Sequence, residues 1–228
     1  MATPSASQGL KYTVDIVLCI DSTGSMGSII DRVKSSALKF YEDINAKMAE
    51  KDKAIDSLRL KVVSFRDYFV DGGDAMRESE FFLLPQDKEA FTSFVKTIRA
   101  DGGGDEPENG LEALALAIKS EWATTGDRRR QIVVIWTDAS AHPLEKDGKP
   151  SVYPKNMPAN LDELSDMWDG QGFVNHSAKR LIIYAPDAYA WTDIANNWEN
   201  TLHFPSKGGD GLAEIEYNEI LDQIVRSV

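Results

Sequence analysis

Apolar residues gather first at Tyr12 to Ile20, a run broken only by Thr13 and Asp15. Runs of strand length recur at Leu58–Phe65, Phe81–Leu84, Gln131–Trp136, Arg180–Tyr184 and Thr201–Phe204. Between them the apolar positions fall three and four residues apart, the spacing of a helix with one buried face. Ser28 to Met48 carries Ile29, Ile30, Val33, Ala37, Leu38, Tyr41, Ile44 and Met48 on one side. Asp87 to Arg99 turns Phe91, Phe94, Val95 and Ile98 inward behind Asp87 as N-cap, and Asn109 to Trp122 does so with Leu111, Leu114 and Ile118. Shorter helices are expected at Leu161–Trp168 and around Trp191–Trp198, and a closing one at Ala213–Val228.

Strands and helices therefore alternate, and the central strands are continuous apolar runs. A strand reads that way when both its faces are buried, as in a parallel sheet covered by helices. The expected fold is α/β and doubly wound, with a mostly parallel central sheet, one short antiparallel edge strand and helices on both faces. Residues 1–10 read as a flexible leader and 11–228 as one domain. Residues 139–178 break the pattern, with four prolines among polar and charged residues. They read as a long insertion beside the rim at which the fourth main strand ends, able to select a partner or to cover the rim.

Composition narrows the partners. The 228 residues are 42% hydrophobic and 27% charged, an ordinary globular balance, but the net charge is -12. Such a chain repels phosphate backbones, which argues against nucleic acid. Divalent cations or basic protein surfaces suit it better, and plain acidic solubility is the alternative. Cys19 is the sole cysteine, so no internal disulfide can form, which favours the cytoplasm. No signal peptide and no membrane-spanning stretch are expected. Asn175-His176-Ser177 fits a glycosylation pattern that matters only in a secreted chain.

In open α/β sheets, ligands sit beyond the carboxyl ends of the strands. Three segments reach that edge: Asp21 to Ser25, Asp101 to Glu108, and Asp138. They bring carboxylates and hydroxyls without histidine or cysteine, an oxygen-only set suited to Mg²⁺, Mn²⁺ or Ca²⁺. In a tight turn leaving the first strand, Asp21, Thr23 and Ser25 can point one way while Ser22 and Gly24 point the other.

Asp21-Ser22-Thr23-Gly24-Ser25 resembles the Asp-x-Ser/Thr-x-Ser signature of von Willebrand factor A domains, and Ile132-Val-Val-Ile-Trp-Thr-Asp138 resembles that family's second acidic segment. The likeness runs from about residue 12 to 228. It implies a Rossmann-like fold and a metal-ion-dependent adhesion site. Thr23 and Ser25 would bind Mg²⁺ directly, and Asp21 and Asp138 directly or through water. A protein partner would supply an acidic residue to the open position, and the chain would be a binding module rather than an enzyme, working within a multi-protein assembly. The middle loop departs from the pattern: where the family places a threonine after glycines, GGGDEPEN places Asp105, expected to take the threonine's role. Either Asp105 adds a carboxylate that tightens metal binding and weakens an acidic partner, or it turns away and leaves the position to water.

Plainer readings stand beside these. Asp21 could be only an N-cap, Gly102 to Gly104 only a flexible turn, and Glu106 and Glu108 only charges complementing a helix start. Arg128, Arg129 and Arg130 read as a solvated edge, His142 and His203 as ordinary surface or packing residues, and the tryptophans as core. Two other functions compete. A Mg²⁺-dependent phosphoryl-transfer enzyme could use Asp21 as acceptor, but the second aspartate of haloacid-dehalogenase-like phosphatases falls on Thr23, and no phosphate-binding loop string exists. A regulatory scaffold with an inactive metal site would use residues 139–178 as its contact surface.

Overall fold

Alternate residues of the first strand, β1 (Tyr12–Asp21), enter two different cores. Val14, Ile16, Leu18 and Ile20 face one, and Val17 and Cys19 the other. This follows from the two-residue period of a strand with both faces covered, and it explains why β1 is a continuous apolar run. The computed structural model describes residues 11–28, 30–51, 54–104, 106–170, 172–205, 221–222 and 225–226. The expected leader, Asp105 and most of the expected closing helix lie outside them.

The remaining elements are α1 (Ile30–Ala49), β2 (Ser57–Phe65), α2 (Tyr68–Asp71), β3 (Met76–Glu78), β4 (Phe82–Leu84), α3 (Lys88–Thr97), α4 (Gly110–Ile118), β5 (Arg128–Trp136), α5 (Leu161–Asp169), β6 (Lys179–Ala185), α6 (Trp191–Asn197) and β7 (Thr201–Pro205). The sheet runs β3-β2-β1-β5-β6-β7, with β4 also on β2. β1, β2, β5, β6 and β7 are parallel. The sheet is thus the expected mostly parallel α/β sheet, with one correction. Two short antiparallel strands, not one, edge it: β3 pairs with Val63–Phe65 and β4 with Leu58–Leu60. Met76–Glu78 is too short and too polar to announce itself in the pattern.

The first core packs α1 and α3 on the sheet through Ile30, Val33, Ala37, Phe40, Ile44, Met48, Phe91 and Val95. Phe40 is fully buried there, whereas Leu38 and Tyr41, expected inward, are only partly covered. Asp87 precedes α3 but makes no cap bond to it; its carboxylate accepts instead from Leu83 N–H at 2.8 Å. The second core holds α4, α5 and α6. Trp122, Trp136, Trp168, Trp191 and Trp198 are all buried, so none marks a surface. No helix among the described residues is long and apolar enough to cross a membrane.

Residues 139–178 are built into this second core. Leu144, Leu164, Trp168 and Val174 are buried in it. Glu112 of α4, fully buried, holds the segment by charge: Lys146 Nζ lies 2.6 Å from its Oε1, and Tyr153 O–H donates to the same oxygen at 2.7 Å. Tyr153 also packs on Tyr68, with ring centroids 5.2 Å apart. The segment is thus packed into the body of the domain, and its first residues, Ser140 to His142, lie beside Glu108 at the carboxyl edge of the sheet.

A buried ion pair that loses one partner leaves an uncompensated charge. Lys146→Met is expected to cost about 3–5 kcal/mol in urea unfolding, and adding Glu112→Gln should recover much of it. A loss below about 1 kcal/mol in the single variant would mean that Lys146 does not neutralise Glu112.

Candidate metal centre

β1 delivers Asp21 to the carboxyl edge of the sheet with no exposed surface. A carboxylate so placed needs donors, and the next residues provide them. Thr23 N–H donates to Asp21 Oδ1 at 2.9 Å and Thr23 Oγ1 to the same oxygen at 2.7 Å. Thr137, at the end of β5, donates to Asp21 Oδ2 at 2.6 Å. The chain then tightens into a 3₁₀ turn, Gly24–Ser28, before α1. Thr23 Oγ1 lies 3.1 Å from Ser25 Oγ, which donates to Asp138 Oδ1 at 2.9 Å. Asp21, Thr23, Ser25 and Asp138 thereby form one connected set of oxygens. Ser22 turns the other way, its Oγ 2.8 Å from that of Ser64. Among the described residues no three His, Cys, Asp or Glu side chains converge as a metal-binding group; hydroxyls make up half of this set.

The glycine loop is locked to these residues. Gly24 N–H donates to Gly102 O, and Asp101 N–H to Ser22 O, both at 3.0 Å. Gly102 and Gly103 have φ of +65° and +72°, a region that side chains disfavour. A Cβ on Gly102 would stand 1.8 Å from Asp71 Oδ1, and one on Gly103 would strike Thr23 and Glu108. The turn is therefore a cramped, fixed one. Arg66 stitches it further, donating from Nε to Ser22 O at 3.1 Å and from Nη2 to Arg99 O at 3.0 Å.

Glu108 departs from expectation. Helix α4 begins only at Gly110, and Glu108 lies before it as a bridge residue to Ala141, 4% exposed. Its Oε2 is buried without a hydrogen-bond partner. Burial, followed by the negative charges of Asp21, Asp67, Asp71 and Asp138, pushes its carboxyl up to about 8. Burial also raises Asp21 to about 6, against the donors from Thr137 and Thr23, and raises Asp138. Arg66 lies 3.8 Å from Asp71, and His142 Nε2 lies 3.5 Å from Asp67. The rim thus crowds buried carboxyl groups, and burial makes three of them harder to ionise. Such a site fits a divalent cation, with Ser25, Thr23 and Asp138 as donors. Asp105 lies outside the described residues. Sequence spacing points to neither Glu108 nor Thr137, because a buried Glu beside a helix start and a threonine ending a strand look like ordinary capping and strand residues.

Residues 15–149 match the family model described as von Willebrand factor A domain. Alpha-protein kinase vwkA of Dictyostelium discoideum is 28% identical over 153 residues, 66% of this chain and 23% of that protein. The pilus adhesin SpaC of Lactobacillus rhamnosus GG superposes with a TM-score of 0.61 at 15% identity, over 96% of this chain and 31% of SpaC. The vWF domain of the type V pili tip protein Mfa5 of Porphyromonas gingivalis gives 0.56 at 12% identity, over 95% of this chain and 96% of that one. At these identities the two structures speak for the fold alone. The chain spans less than a third of vwkA and of SpaC.

In metal-free protein the raised Glu108 carboxyl has a definite sign. The folded state keeps this proton up to about pH 8, whereas the unfolded chain releases it near 4.5. Stability is therefore lost as pH rises through that window. Glu108→Gln should flatten this slope and raise the melting temperature at pH 8. An unchanged slope in the variant would show that Glu108 is not the group responsible.

Proposed function

The chain belongs to the von Willebrand factor A domain family, and from that premise we propose that it is a metal-dependent protein-interaction module. Domains of this family are typical of interaction and adhesion modules. In this chain, Thr23 and Ser25 would hold Mg²⁺ directly, with Mn²⁺ or Ca²⁺ as substitutes, and Asp21 and Asp138 would act directly or through water. Asp105 would complete the set. The cation supplies an electrophilic position that a carboxylate of a protein partner fills.

The observation that carries this reading is the connected set of rim oxygens, in which Ser25, at an exposed position, links Thr23 to Asp138. Glu108 Oε2 is buried and unpartnered, and Asp21, Asp67, Asp71 and Asp138 act on it electrostatically; a divalent ion would offset the cost of gathering these acids. The hydroxyl donors support the same reading, since neutral ligands leave the ion positive enough to attract an outside carboxylate. Asp21 suits a supporting role better than that of a phosphoryl acceptor, because both its oxygens already accept hydrogen bonds and neither faces solvent. The kinase name attached to vwkA belongs to a protein of which the match covers 23%. A cytoplasmic setting is proposed on the single cysteine, Cys19.

Titrating Mg²⁺ into metal-stripped protein should raise the melting temperature saturably, corresponding to about 2.7 kcal/mol at 100 times the dissociation constant. The Asp21→Ala/Ser25→Ala variant should not respond. A flat titration of the wild type, for Mg²⁺, Mn²⁺ and Ca²⁺ alike, would favour a scaffold whose metal site is inactive.

A further inference from the structure

β2 runs parallel to β1 and reaches the same carboxyl edge of the sheet, and the residue after it is Arg66. Its side chain is 18% exposed, and its backbone is fixed from two sides. Arg66 N–H donates to Ala75 O at 2.7 Å, and Arg66 O accepts from Asn109 N–H at 3.2 Å. From this fixed base the guanidinium reaches three other segments. Nε donates to Ser22 O at 3.1 Å, in the turn that carries Thr23 and Ser25. Nη2 donates to Arg99 O at 3.0 Å, where the chain approaches the glycine loop. Nη1 lies 3.8 Å from Asp71 Oδ1, at the end of α2.

Asp71 carries this hold onward. Its side chain is 8% exposed. Oδ2 accepts from Gly103 N–H at 2.8 Å and from Asp67 N–H at 3.3 Å. Gly103 in turn packs so closely that a Cβ on it would lie 2.8 Å from Thr23 Cβ and 2.9 Å from Glu108 Oε1. Gly102 O accepts from Gly24 N–H, one residue before Ser25. One guanidinium and one carboxylate therefore tie the turn after β1 to the glycine loop. Neither belongs to the connected set of Asp21, Thr23, Ser25 and Asp138 oxygens.

We propose that Arg66 and Asp71 are positioning residues for the cation, a role that rests on the metal binding proposed for the rim. They hold the backbone that carries Thr23 and Ser25 without touching the ion. Hydroxyls are neutral ligands, and they bind a cation well only when their oxygens are in place before it arrives. Without the clamp, the turn and the loop must be ordered on binding, and affinity falls. Asp71 acts through its hydrogen bond to Gly103, not through its charge.

The test follows Mn²⁺ binding to metal-stripped protein, with free Mn²⁺ read by electron paramagnetic resonance, beside the melting temperature of each metal-free variant. Arg66→Gln should weaken Mn²⁺ binding roughly tenfold or more, and Arg66→Lys should recover only part of it, because lysine keeps the charge and loses the fork. Asp71→Ala should weaken binding by a similar factor. Asp71→Asn should stay near the wild type, because it keeps an acceptor for Gly103 N–H. Ile44→Ala is the control for general destabilisation, since Ile44 is fully buried in the first core toward the far end of α1. It should lower the melting temperature and leave Mn²⁺ affinity unchanged. Equal losses in Asp71→Asn and Asp71→Ala would make the role of Asp71 electrostatic and overturn the positioning role. Affinity unchanged in Arg66→Gln and Asp71→Ala, or lost equally in Ile44→Ala, would overturn it while leaving metal binding at the rim intact. A wild type that binds no Mn²⁺ would overturn both.

Discussion

A carboxylate at the end of a strand buried on both faces is the constraint on which the rim depends. Asp21 has no exposed surface, so its acceptors must be filled from within the fold. Thr23 fills one oxygen from the turn and Thr137 the other from the neighbouring strand. The loop after β1 and the end of β5 are thereby tied to one atom group. Ser25 and Asp138 extend the same chain of bonds outward. The glycine loop must then approach so closely that only residues without Cβ fit at positions 102 and 103.

Charge is distributed in a way that follows from this construction. Carboxylates from four segments meet behind the rim, and Glu108 is buried there with one oxygen unpartnered. The opposite sheet edge begins with arginines. The buried Glu112–Lys146 pair stands apart from both, since each partner neutralises the other and together they anchor residues 143–153 on α4. Crowded carboxyls at the rim and a paired charge in the core are physically different: burial raises the pKa of the first, and the second fixes a loop.

A rim of this kind stands apart from the apolar packing that holds the fold. Sheet and helices are held by two apolar cores that do not involve the site oxygens. The site is held by hydrogen bonds at strand ends, where backbone groups leave the ladder and side chains must take over. Changes at Ser25 or Asp138 therefore break hydrogen bonds at the strand ends, whereas changes at Glu112 or Lys146 break a buried charge pair.

Much of this was legible in the chain itself. Continuous apolar runs dictated a parallel sheet, because a strand buried on both faces has no polar side to alternate. Asp21, Thr23, Ser25 and Asp138 were legible too, since residues that directly follow β1 and β5 must emerge at the same edge. What lies far apart in sequence and matters through burial was not. Glu108 reads as a helix-start charge until the fold buries it, Met76–Glu78 becomes a strand only because β2 offers an open edge, and residues 139–178 look like a loose loop until Glu112 and the second core claim them. Local pattern determines which face a residue presents; tertiary packing alone decides which charges lose their water and which find a partner.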